Sequence, residues 1–178
     1  MRCWGSNDAG SLGIGRPAVR ESTVPVPVKG LGSGIRSVSS DSFSSTVCVV
    51  TTGGAAKCWG HNFKGGVGNG STGFGVYAPV QVRGLTRGVS AIAVGYGTTC
   101  AVRAGALLCW GGGWHGARAS GNQRDVTRPA PAKVLTSRTG QLAMGGVGGC
   151  AVRDGAAWCW GEVYPGGPFT LVPKRVAF

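Results

Sequence analysis

The tripeptide Cys-Trp-Gly occurs four times in the chain, and this repetition constrains the fold more than any other feature. The copies begin at residues 3, 58, 109 and 159, so successive copies lie 55, 51 and 50 residues apart. A period of about fifty residues means that one structural unit is repeated, and such a repeat decides the architecture before any local pattern does. We therefore predict one repeat domain over residues 1–178.

A second repeated motif, Pro-x-x-Val, follows each copy and fixes the phase of the repeat. It begins at Pro25, Pro79, Pro131 and Pro173. With the unit boundary placed after this motif, we predict part of a unit at residues 1–30 and full units at 31–84, 85–135 and 136–178. Because the first unit is partial, we expect the chain to be a fragment or a truncated member of a longer repeat protein.

Each full unit contains a predicted β-hairpin. Ala104-Gly105 and Asp154-Gly155 lie between short apolar arms, which favours a two-residue turn, whereas Thr52-Gly53-Gly54 favours a three-residue loop. An apolar stretch before each hairpin predicts another strand, and Pro-x-x-Val predicts an outer strand, where proline is tolerated. Four short strands per fifty residues are typical of a β-propeller blade. The predicted class is all-β, with three blades of four antiparallel strands, part of another, and an incomplete ring.

Six of the seven cysteines occur in hairpin pairs. Counting outward from Ala104-Gly105 places Cys100 opposite Cys109 in a non-hydrogen-bonded pair, with Cα atoms about 4.5 Å apart, and a disulfide accepts a Cα separation of about 4.4–6.8 Å. The same count applies to the other two hairpins. The predicted disulfides are Cys48–Cys58, Cys100–Cys109 and Cys150–Cys159, with Cys3 unpaired.

The paired cysteines bear on compartment. Disulfides favour an extracellular or secreted location, whereas buried free thiols would suit the nucleus or cytoplasm. Zinc is disfavoured, since the sequence has no C-x-x-C, and His61 and His115 lie in predicted loops without matching ligands. We expect neither a metal nor a cofactor.

The net charge of +12 leaves two interpretations open. It suits an acidic partner, which can be nucleic acid, an anionic membrane or an acidic protein face. Alternatively, scattered arginines cover a solvated surface, because only Lys174 and Arg175 are adjacent and no basic run occurs. No apolar run is long enough for a membrane span.

The segment that follows each Cys-Trp-Gly resembles the signature W-G-x-N-x-x-G-x-L-G-x-G of the regulator-of-chromosome-condensation repeat family. The first two copies match well, with Val67 in place of Leu in the second, whereas the third has Gly113, Arg118 and Ala119 at the Asn, Leu and Gly positions. The resemblance covers nearly the whole chain. It assigns structural roles to the motif residues Trp4, Gly5, Asn7, Gly10, Leu12, Gly13, Trp59, Gly60, Asn62, Gly65, Gly68, Trp110, Gly111, Trp160 and Gly161.

The resemblance implies a seven-bladed propeller, so further blades or an oligomer would be needed to close a ring. The tryptophans of the four motifs, which recur once per unit, are predicted to be core residues. Trp114 and its neighbour His115 are off this pattern and are the predicted contact residues.

No nucleophile or paired-carboxylate constellation is found, so the chain is predicted not to be an enzyme. We predict a non-catalytic module that binds a protein or other ligand through the variable loops 61–78, 112–131 and 162–172. The alternative is a guanine-nucleotide exchange regulator of a small GTPase, possibly with chromatin contact. The resemblance implies this activity because other members of the family have it. Those members use a β-wedge insertion, which this sequence lacks.

Overall fold

The chain forms fourteen β-strands and two single-turn 3-10 segments in the residues that the computed structural model describes, 1–41, 45–121, 127–136, 138–162 and 169–177. No helix in these ranges has the length and apolar character needed to cross a membrane. The strands are β1 (Arg2–Ser6), β2 (Glu21–Pro27), β3 (Ile35–Ser40), β4 (Thr46–Thr51), β5 (Ala56–Asn62), β6 (Gly73–Gln81), β7 (Val89–Gly95), β8 (Thr98–Arg103), β9 (Ala106–Gly111), β10 (Arg128–Leu135), β11 (Thr139–Met144), β12 (Gly148–Arg153), β13 (Ala156–Glu162) and β14 (Phe169–Arg175).

Consecutive strands pair antiparallel into four sheets, β1–β2, β3–β6, β7–β10 and β11–β14. The predicted all-β class and the four-stranded antiparallel units are confirmed, and the sheets do not close into a ring. The innermost strands pack side by side, with β7 in contact with both β3 and β11. Each sheet therefore lies against the next like neighbouring blades of a propeller.

The hairpin between the two middle strands of each full sheet has the register expected from the turn residues. Arg103 faces Ala106 and Arg153 faces Ala156, which places Cys100 opposite Cys109 and Cys150 opposite Cys159. Ala104 and Asp154 adopt positive φ with a glycine of positive φ behind them, as a two-residue turn of this twist requires. In the remaining hairpin Gly54 has φ 77°, and the backbone N–H of Thr51 donates to the carbonyl of Ala55, which closes the three-residue loop.

Three apolar clusters fill the interfaces between successive sheets, and each contains one motif tryptophan: Trp59, Trp110 or Trp160. Side chains alternate across a strand, so the cysteine and tryptophan of one Cys-Trp-Gly point in opposite directions. In the first two full sheets the cysteines pack toward the following sheet, and in all three full sheets the motif tryptophan packs toward the preceding one.

Trp4 corrects one prediction. This side chain was expected in the core with the other motif tryptophans, but it is 65% exposed. The physical reason is the direction of the packing, because a motif tryptophan is buried against the loop of the preceding unit, and no such loop covers Trp4 among the described residues.

Candidate functional site

The loop after each of the first three Cys-Trp-Gly copies leaves its own sheet and packs on the following sheet, where the motif tryptophan donates a hydrogen bond to it. We call this repeated contact the lock. The indole N–H of Trp59 donates to the carbonyl of Ser11 at 2.8 Å, that of Trp110 to Gly66 at 2.8 Å and that of Trp160 to Ala117 at 2.9 Å. These three carbonyls occupy equivalent positions in successive loops. Each tryptophan therefore holds the loop of the unit before it.

Glycines allow the close approach that this lock requires. A Cβ on Gly13 would lie 2.7 Å from the indole nitrogen of Trp59, and one on Gly65 would lie 2.7 Å from the Cα of Pro129. Both glycines also have positive φ, so the backbone conformation and the lack of space for a side chain both require glycine. A backbone hydrogen bond also joins each of these two loops to the following sheet. Gly15 N–H donates to the carbonyl of Tyr77 at 2.7 Å, and Gly70 N–H donates to the carbonyl of Pro129 at 2.9 Å.

The signature asparagine closes the loop internally. Asn7 accepts from the backbone N–H of Leu12 at 3.0 Å and donates to the carbonyl of Val19 at 2.7 Å. Asn62 makes the corresponding bonds with Val67 and Ser71, both at 3.1 Å.

The third loop departs from the signature in a compensated way. The position of Asn is Gly113, and the buried Arg118 stands at the position of Leu. A Cβ on Gly113 would lie 2.6 Å from Nη2 of Arg118, so the guanidinium fills the space where the asparagine side chain would begin. The sequence shows two separate departures from the signature. In the structure they are linked, because the Arg118 side chain occupies the space that the missing asparagine side chain would take.

All three predicted cysteine pairs are joined in the structure, with Cα–Cα separations of 4.1 Å. Cys3 is free and half-buried, and burial raises the pKa of its thiol above the ordinary value, whereas the N-terminal ammonium lowers it by a smaller amount. The described residues contain no group of three His, Cys, Asp or Glu side chains placed to hold a metal.

A continuous strip of exposed aromatic side chains crosses the loop ends of three sheets. Its rings include Trp114, which was singled out from the sequence and is 49% exposed, and Phe63 and Phe74, which are 63% and 69% exposed. Sequence reasoning missed the phenylalanines, although they stand in the predicted variable loops. We call this surface the aromatic strip; it comprises His61, Phe63, Lys64, Phe74, Tyr96, Trp114, His115 and Phe169.

Lys64 joins the strip across the boundary between two sheets. Its ammonium lies 5.9 Å from the ring centroid of Phe63 and 5.8 Å from that of Trp114, within the range of a cation–π contact. The lock explains this position, because Gly65 packs on Pro129 of the next sheet and carries Lys64 with it.

His115 joins the strip to the third sheet. Its ring centroid lies 5.6 Å from that of Phe169, and its Nδ1 lies 2.5 Å from Oε2 of Glu162. The adjacent Gly116 packs on Thr170 and Leu171, which sets the ring beside the outer strand. The predicted contact loops 61–78, 112–131 and 162–172 supply most of the strip; residues 122–126 and 163–168 of these loops lie outside the described residues.

Comparison with solved structures identifies the fold. The sequence matches no protein-family model and no curated protein sequence. Human WBSCR16 superimposes with a TM-score of 0.79 and 20% identity over 98% of this chain and 48% of its own length. Yeast RCC1 (Prp20), solved with Kap60 bound, gives 0.79 and 21% identity over 99% and 44%.

A second structure of Prp20p from Saccharomyces cerevisiae gives a TM-score of 0.73 and 18% identity, over 99% of this chain and 46% of that one. The chain thus spans less than half the length of the structures that it matches. With three complete sheets, the repeated lock and these superpositions, the chain has the fold of an RCC1-type β-propeller, of which it forms an open arc.

Proposed function

We propose that the chain is a non-catalytic propeller module that binds a protein partner through the aromatic strip. The observation that carries this proposal is the continuity of the strip across two sheet boundaries, made by Lys64 and His115. Large exposed apolar patches mark interaction surfaces, and aromatic side chains contribute most to the affinity of such interfaces.

The lock makes the strip a rigid surface and not a set of independent loops. Phe63 and Trp114 stand at equivalent positions directly after Asn62 and Gly113, and the loops that carry them are fixed by Trp110 and Trp160. A surface ordered before binding loses less conformational entropy on association.

In the experiment, Phe63 of the intact chain is replaced by the photoreactive amino acid benzoylphenylalanine. The protein that becomes cross-linked to it is then identified. That protein is then purified and titrated with the double variant Phe63→Ser/Trp114→Ser. The matched control is Val24→Ser/Val172→Ser, which removes two exposed apolar side chains outside the strip. We expect the strip variant to weaken binding about a thousandfold, since two central aromatic contacts of ~2 kcal/mol each contribute ~4 kcal/mol together, and the control to bind like the parent. Equal affinities of the two double variants would refute the proposal.

A second candidate is guanine-nucleotide exchange on a small GTPase. The structural likeness to Prp20p favours it, because that protein is described with binding properties to Gsp1p and histones. Against it, the three connections between sheets are short in sequence and hold no wedge-sized insertion; they run from Pro27 to Ile35, from Gln81 to Val89 and from Leu135 to Thr139.

Release of a fluorescent GDP analogue from Gsp1p separates the two functions. The module proposal expects the release rate with this chain to equal the intrinsic rate. Acceleration of release would replace it with the exchange function.

A further inference from the structure

The hairpin turns and the connections between sheets meet at the end of the molecule opposite the aromatic strip. Backbone bonds join them in sequence, from Thr52 N–H to Gly34 carbonyl, from Val89 N–H to Gly54 carbonyl and from Thr139 N–H to Gly105 carbonyl, at 2.8–2.9 Å. These segments therefore form one surface, the turn face, which comprises the described residues 28–36, 51–55, 82–89, 103–106, 135–136, 138–139 and 153–156.

The turn face concentrates the positive charge of the molecule. Its sequence contains seven basic residues and one acidic residue, Asp154. The basic residues are Lys29, Arg36, Arg83, Arg87, Arg103, Arg138 and Arg153. By contrast, the loop ends of the strands carry four of the described acidic residues, Asp8, Glu21, Asp41 and Glu162. The arginines that seem scattered along the sequence are thus brought together by the repeat.

Two arginines of the turn face are anchored to neighbouring backbone without losing their charge. Arg103 donates from Nη1 to the carbonyl of Gly84 at 3.1 Å, and Arg36 donates to the carbonyl of Val89. Asp154 accepts from Arg138 at 3.2 Å and lies 3.9 Å from Arg153, so it offsets charge at one end of the face. Within the described part of the chain, Arg36, Arg83, Arg87 and Arg103 have no acidic partner.

The chemistry of this face selects among anionic partners. Among the described residues, none of the exposed aromatic side chains stands on the turn face, so it lacks the rings that stack on single-stranded nucleic acid or anchor in a bilayer interface. Six of its seven cations are arginines, whose planar fork binds carboxylate or phosphate in a bidentate way. The disulfides of the sheets suit an oxidising compartment outside the cytosol.

We propose that the turn face binds a linear carboxylated polysaccharide along the row of arginines contributed by successive sheets. The row follows the arc, because each hairpin turn touches the connection into the next sheet. A polymer with one carboxylate per sugar can contact several arginines at once, and such multivalent contact gives useful affinity from individually weak exposed pairs. This proposal is independent of the aromatic strip.

The test measures binding of the intact chain to polygalacturonate by calorimetry at several salt concentrations. We expect affinity to fall steadily as salt rises. The variant Arg87→Ser/Arg103→Ser should bind about tenfold more weakly, since two exposed charge contacts together contribute ~1.4 kcal/mol. The control Arg20→Ser/Arg128→Ser removes the same charge from two exposed positions at the loop ends and should bind like the parent.

Three results would overturn the proposal. The first is the absence of polygalacturonate binding. The second is an equal loss in both double variants, which would show that only net charge matters. The third is tighter binding at the same salt to a 30-base-pair duplex DNA or to phosphatidylglycerol vesicles, which would assign the face to nucleic acid or membrane.

Discussion

The burial of a motif tryptophan differs between copies of the repeat, because it depends on contact with a loop from the neighbouring unit. Trp110 is buried with its N–H bonded to Gly66, whereas Trp4 has the same local sequence and stands in solvent. Trp110→Phe should lower the free energy of unfolding by about 2–4 kcal/mol, from the lost hydrogen bond and the space left by the smaller ring. Trp4→Phe should change it by less than about 0.5 kcal/mol. Urea denaturation measures both, and similar losses would contradict the lock.

Two glycines with the same φ of +75° separate conformational strain from close contact. A Cβ on Gly68 would lie 2.9 Å from Cε2 of Trp110 and closer still to the indole nitrogen, whereas a Cβ on Gly84 would meet nothing within 4 Å. Gly84→Ala should lower stability by about 1 kcal/mol through φ alone, and Gly68→Ala by at least about 2 kcal/mol more because of overpacking. Thermal denaturation of the pair gives the difference, and equal values would show that the indole contact is unimportant.

Cys3 has a reactivity set by burial. Because burial raises the pKa of its thiol, the thiolate fraction at pH 8 is smaller than that of an exposed cysteine. We expect iodoacetamide to modify Cys3 more slowly than glutathione at pH 8, and the rate to keep rising at higher pH. Faster modification of Cys3 would indicate that the thiol is neither buried nor raised in pKa.

Secondary-structure elements agree with the prediction from the sequence wherever residues close in sequence determine them. The turns at Ala104-Gly105 and Asp154-Gly155 fix the register of their hairpins, and that register places the cysteines opposite each other. These features were predictable because a hairpin depends on contacts between residues close in sequence. The exposure of Trp4 and the exchange of Gly113 with Arg118 were not, because each depends on how a loop meets another part of the fold.

The three disulfides give an element-scale prediction. Each closes a loop of nine or ten residues by sequence separation, so reduction should lower the free energy of unfolding by about 2–3 kcal/mol per bridge. Alkylation followed by intact-mass measurement should find one accessible thiol without reductant and seven after reduction and unfolding. Seven thiols labelled under denaturing conditions without reductant would remove the disulfides and the argument for an oxidising compartment. Cys3→Ser is the control and should leave stability unchanged.

The whole molecule transmits order from each sheet to the loop of the preceding unit. Trp160 holds Ala117, which lies in the loop that carries Trp114 and His115 of the aromatic strip. Trp160→Phe should therefore accelerate amide hydrogen exchange in residues 114–120, while residues 63–70, held by Trp110, keep their protection. Exchange that increases only within β12 and β13 would show that the lock does not couple sheets.

Charge is also a property of the whole molecule. The basic residues have no pattern along the chain, because a repeat of about fifty residues separates positions that meet in space. The aromatic strip is hidden in the sequence for the same reason, since Lys64 and Trp114 are fifty residues apart and share one contact. Only Trp114 and His115 could be singled out from the sequence, because they depart from the repeated pattern.

The lock across sheet boundaries also determines how such a protein can gain or lose units over evolutionary time. A segment copied from one Cys-Trp-Gly to the next carries a complete loop together with the tryptophan that binds this same loop. Recombination at these points preserves every interface, whereas a junction inside a loop would separate its asparagine or arginine from the backbone that it supports. The unit that can be duplicated is thus the interval between two motif tryptophans. Its boundaries differ from those of a sheet, because the motif tryptophan of each four-stranded sheet lies in the third strand of that sheet.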